Sequence, residues 1–187
     1  MAATDDRYGR LRDPRASLRI CGATAHFPDP VGDVDVPAAD AADWLDVLMV
    51  SPDLLRVLEI LAAEDRSRIR AAMIHGRVTL ATVREVLGDA LTVVSGRPWW
   101  ETIMIVSTTV ASWDESMGGT LATKGIRAQG MPLGSWVDAA WTTMRELTGG
   151  EDKLASLVST VRTRPREPGE EEGMEAAEFD AAMAAWS

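Results

Sequence analysis

One stripe constrains this chain more than any other feature. Trp99, Ile103, Val106, Val110, Trp113 and Met117 recur at spacings of 4, 3, 4, 3 and 4. That is the recurrence of a single helix face, held for about five turns. Arg97-Pro98 stands ahead of it, proline being suited to the first helical turn, and Gly118-Gly119 follows it as a stop. The β-branched residues Ile103, Ile105, Val106, Thr108, Thr109 and Val110 weaken helix propensity and keep a buried strand over 102–110 open as the competing reading. The stripe and the proline favour the helix.

Most other segments show the same period. Ala41, Trp44, Leu45 and Leu48 share a face, and Ser51-Pro52-Asp53 then reads as a helix start, with Leu54, Leu58 and Leu61 behind it. Ile69, Met73 and Ile74 follow a charged patch and stop at His75-Gly76. Thr79 is placed to cap a helix with Leu80, Val83, Leu87, Leu91 and Val94 inward, ending at Ser95-Gly96. A short helical piece runs to Lys124-Gly125, and 130–134 reads as a loop. Trp136, Ala140, Met144 and Leu147 mark a further helix, and Leu154, Leu157, Val158 and Val161 a last core helix. Only the start differs. Residues 17–37 alternate loosely around Pro28-Asp29-Pro30 and Gly32, which suggests one or two short strands forming a hairpin.

The expected fold is therefore mainly α. Residues 1–16 form a flexible N-terminus, 17–37 a β element, 38–162 the helices, and 163–187 an acidic linker followed by a short amphipathic helix. The linker, residues 163–173, has two prolines and three consecutive glutamates. Beyond it Ala176, Phe179, Met183 and Trp186 recur at 3, 4 and 3.

Composition narrows the function by exclusion. The 187 residues carry 19 Lys plus Arg against 29 Asp plus Glu, a formal charge of -10, which disfavours a nucleic-acid partner. The single cysteine, Cys21, rules out an internal disulfide and a cysteine-built zinc site, and His26 and His75 cannot supply three ligands. Both histidines and the cysteine read as structural. Neither a signal peptide nor an apolar run long enough for a membrane span is visible. The nucleotide-binding glycine patterns and the nucleophile-elbow pattern are missing, so the expectation is a non-enzyme with no catalytic, cofactor or metal residues. Asp40, Asp43 and Asp46 fit the positive end of a helix dipole better than a metal cluster. Residues 78–88 superficially resemble the opening of a helix-turn-helix, but apolar and acidic residues come next where base-reading side chains would be needed.

The aromatic balance is unusual: seven tryptophans against two phenylalanines and one tyrosine. Trp99, Trp113 and Trp136 lie on the stripes and read as core. Trp100 adjoins Trp99 and must face another way, and Trp141 flanks the Trp136 face. Both are candidate partner-binding residues, since indoles favour interfaces. Phe179, Met183 and Trp186 join them as anchors of a helix-in-groove ligand.

Gly96-Arg97-Pro98-Trp99-Trp100, Trp113-Asp114, Gly118-Gly119 and Leu133 with Trp136-Val137-Asp138-Ala139 and Trp141 resemble the tail assembly chaperones of long-tailed actinobacterial phages. The similarity is one of pattern over residues 17–165. It implies a non-enzymatic protein of the infected cell's cytoplasm, not expected in the mature virion. Such a protein binds the tape measure protein, keeps it soluble and helps recruit tail-tube protein. Self-association is a further use for such a surface. The resemblance further implies that this chain is the short form of a pair whose longer member arises by ribosomal frameshift. A structural virion protein, such as a minor tail or head–tail connector subunit, is the alternative, with a helix-turn-helix regulator behind it.

Overall fold

The computed structural model describes residues 22–48 and 53–164. The expected flexible N-terminus, the first residues of the β element with Cys21, the Ser51-Pro52 helix start, and the segment bearing Phe179, Met183 and Trp186 lie outside the described residues.

Two short strands open the fold, β1 (Ala23–His26) and β2 (Asp33–Val36), paired antiparallel with Ala25 opposite Val34 and His26 opposite Asp33. The period of two sorts their side chains. Ala25, Val34 and Val36 are buried, while Thr24, His26, Asp33 and Asp35 face outward. On that outer face His26 Nδ1 lies 2.9 Å from Asp33 Oδ1. Phe27 and Val31 turn inward from the loop between the strands.

The helices are α1 (Ala41–Leu48), a 3₁₀ segment (Leu54–Ile60), α2 (Ala63–Ile74), α3 (Leu80–Ser95), α4 (Trp99–Ala111), a π turn (Trp113–Met117), α5 (Gly118–Thr123), α6 (Leu133–Leu147) and α7 (Glu151–Arg162). The predicted caps act as such. Thr79 Oγ1 accepts from the Thr82 N–H at 3.1 Å, and Gly96 ends α3 in the left-handed region at φ 70°. Asp40 Oδ1 accepts from Ala42 N and Asp43 N at the start of α1. Asp53 caps in the same way, but the segment it starts winds as 3₁₀ before α2 begins, where a single α-helix face was expected. Leu54, Leu55, Val57, Leu58 and Leu61 are all buried there.

α3, α4 and α6 pack on one another and form the centre of the fold. α1 closes on α4 and α6, the hairpin and the 3₁₀ segment lie against α3, and α7 lies on α4. The stripe residues Ile103 and Val106 are buried, and so are Thr102, Ile105 and Thr109 beside them. A helix with neighbours on several sides buries more than one stripe, which explains why its sequence looked strand-like. The competing strand reading over 102–110 is excluded by α4 itself.

The stripe breaks at its far end. Met117 N and Gly118 N donate to carbonyls five residues back, on Ser112 and Trp113. This i→i−5 pattern inserts an extra residue into the turn and rotates the residues beyond it. Met117 is still buried, but Trp113 is 41% exposed, against the expectation that it belonged to the core. Leu147 (45%) and Ile74 (57%) are likewise exposed at the ends of α6 and α2, where a helix outruns the surface it packs on.

Candidate functional site

Two of the segments that carry the resemblance, 96–100 and 133–141, meet at the corner between α3 and α4. Proline and glycine make the bend, and hydroxyl groups staple it. Thr92 Oγ1 accepts from the Trp99 N–H at 3.0 Å, Ser95 Oγ accepts from the Arg97 N–H, and Thr102 Oγ1 donates to Ser95 Oγ at 2.9 Å. Ser95 and Thr102 are buried, so these bonds satisfy polar groups that water cannot reach. Trp99 packs onto α3 at Gly88, where a Cβ would stand 2.6 Å from its ring. The start of α6 comes equally close: a Cβ on Gly134 would stand 2.5 Å from the Ser95 carbonyl oxygen. Across that contact Arg97 Nε donates to Asp138 Oδ1 at 2.7 Å, and a second guanidinium nitrogen reaches Glu101 at 3.3 Å. The sequence offered Arg97 and Asp138 as separate motif residues. Nothing in their spacing of 41 positions announces that they form an ion pair.

The tryptophans named as partner-binding candidates are both half-buried. Trp100 stands edge-on to Trp99, ring centroids 5.8 Å apart. Just past the end of α7 the Arg164 guanidinium lies 5.5 Å above the Trp100 ring, within range of a cation–π contact. The Trp100 Nε1 atom is buried and has no hydrogen-bond partner among the described residues. Trp141, on α6, packs against the core cluster with part of its ring in solvent. The surface signal in the sequence, an indole on the wrong side of its stripe, therefore located residues at the edge of the core. The guanidinium that lies over one of them, Arg164, could not be foreseen.

A groove of about 400 Å³ beside the π turn is lined by Asp114, Ser116, Gly119, Thr120, Thr123 and Lys124. Its chemistry is spent locally. Thr120 and Thr123 donate to the Ser116 and Gly119 carbonyls, and Lys124 pairs with Glu146. His26 and His75 lie on the hairpin and just beyond α2, on separate elements. Residues Leu80–Ser95 form one unbroken helix, so no turn at Gly88 presents a second, base-reading helix.

Asp40 holds the approach to α6. Its Oδ2 accepts from the Gly130 N–H at 2.8 Å while Oδ1 caps α1, and Ala41 N donates to the Met131 carbonyl at 2.7 Å. The Gly130 bond, followed by that from Asp43, lowers the carboxyl pKa below its ordinary value.

No helix among the described residues is long and apolar enough to cross a membrane. Comparison of the chain with protein-family models, with curated proteins and with solved structures returned no match in any of the three.

Proposed function

We propose that the chain is a phage tail assembly chaperone. It binds the tape measure protein, keeps that long protein soluble and promotes assembly of tail-tube protein around it, without catalysis, in the host cytoplasm and outside the mature virion. The observation that supports this best is the convergence at the α3–α4 corner. The two sequence segments bearing most of the resemblance, 96–100 and 136–141, are joined there through Arg97 and Asp138.

The physical character agrees with a holding role. A charge of -10 keeps complexes with apolar clients dispersed. Trp100 and Trp141 at the margin of the core, with nine methionines in the chain, suit loose recognition of apolar helices.

Co-expression with the tape measure protein of the same phage tests the reading. The expected result is a soluble tape measure protein that co-purifies with this chain and precipitates without it. A minor longer product sharing the N-terminus, detected by mass spectrometry when the native downstream DNA is included, is expected beside it. Recovery of the chain in stoichiometric amounts from purified particles would overturn the proposal in favour of a structural virion protein.

A further inference from the structure

α7 is attached differently from every other long helix. It runs for 12 residues, yet Val161 alone is fully buried; Leu154, Leu157 and Val158 are half-buried, and its other residues face solvent. Its packing partner is α4, the helix that carries Trp100. It is joined to α6 through Gly149-Gly150, with Gly150 at φ 91° and no side-chain cap on α7. Its helical form draws on its own ends: Glu151 and Asp152 at the positive end of the dipole, Arg162 at the negative end. A helix this short is marginal alone, and one held by so little buried apolar surface belongs to the low-stability end of local opening. Two residues past its end Arg164 lies over the Trp100 ring of α4, whose buried Nε1 has no hydrogen-bond partner among the described residues.

From this we infer that α7 is a reversible cover, and that the α4 surface it vacates receives an amphipathic helix of the client. The occupant's chemistry is read from the cover. α7 presents Leu154, Leu157, Val158 and Val161, the i, i+3, i+4, i+7 pattern, so the surface below accepts an apolar helical stripe of that register. In the closed state α7 occupies that surface at the high effective concentration of a tethered segment. A client must displace it, which keeps the tryptophan face from binding indiscriminately. The occupant rests on the chaperone reading; the cover itself does not.

The test uses the full-length chain. In the wild type, hydrogen exchange followed by mass spectrometry should show amides 151–162 exchanging well before those of α4 and α6. Exchange of α7 only together with the rest of the protein would overturn the inference. Val161→Asp should undock α7 and leave cooperative thermal unfolding of the remainder. It should also bind a synthetic Leu/Lys peptide of helical apolar periodicity about tenfold more tightly than the wild type, since the closed fraction no longer competes. A peptide of the same composition in scrambled order controls for charge. Equal affinities, or loss of cooperative unfolding in the variant, would refute the cover. No step involves the tape measure protein. A chain whose cover opens but which fails to solubilise that client would retain this inference and lose the proposed function.

Discussion

α6 and α7 have similar lengths, follow one another with a three-residue connection, and both pack on α4, yet they are held very differently. α6 buries Leu133, Trp136, Val137, Ala140, Thr143 and Met144, because α1, α3, α4 and α5 surround it. α7 buries Val161. Their sequences carry the same helical recurrence of apolar residues. Recurrence says which face of a helix turns inward. How far inward depends on how many neighbours that face meets, and those neighbours come from other parts of the chain.

The contrast can be tested by substitution. The largest effect is expected in α6 from Trp136→Ala. It empties a fully buried site and should cost about 3–5 kcal/mol, read as a large fall in the denaturation midpoint and as exchange rising throughout the protein. Gly134→Ala comes next. Its Cβ would meet the Ser95 carbonyl, a backbone atom that cannot swing aside, and the overpacking should cost about 1–3 kcal/mol. If that variant were as stable as the wild type, the close approach of α6 to the α3–α4 corner would be wrong.

Asp40 supplies a pH-dependent version of the same test, because it ties the loop ahead of α6 to α1. Its pKa is lowered by folding from an ordinary 3.8. Its contribution is therefore fully present above that value and is lost as pH falls through the lower folded value. Asp40→Asn should melt below the wild type at neutral pH, with the gap closing as the pH drops beneath 3.8. A gap independent of pH would remove the carboxylate from the explanation. The smallest global effect is expected from Asp138→Ala. Its carboxylate is 65% exposed, so the ion pair with Arg97 is worth under about 1 kcal/mol. In urea the midpoint should barely move. The pair orients the corner more than it stabilises it.

Much of the helical layout was legible because its signals are local. Thr79, Gly96 and the Pro98 start act within one turn of their own positions, and the hairpin came from alternation around residues 28–32. Where the sequence misled, a distant partner or a change of helical winding had intervened. Trp113, at the start of the π turn, stands 41% exposed although the stripe placed it in the core. The segment after Asp53 wound as 3₁₀ although its buried residues recur as an α-helical face would. Leu154, Leu157, Val158 and Val161 recur as a core helix would, but they seat mainly against α4, and only Val161 goes fully under. The candidate residues Trp100 and Trp141 were visible as indoles misplaced on their stripes. The guanidinium over Trp100 was not, since Arg164 lies 64 positions further on.

By itself, then, the sequence determined the class of fold, the ends of most helices and the acidic character of the surface. Each depends on the chemistry of a residue and its near neighbours, through capping groups, backbone freedom or formal charge. The tertiary structure alone decided the depth of each helix, the meeting of Arg97 with Asp138 and the placing of Arg164 over Trp100. Burial is a property of pairs of surfaces, and the second surface of each pair lies far along the chain.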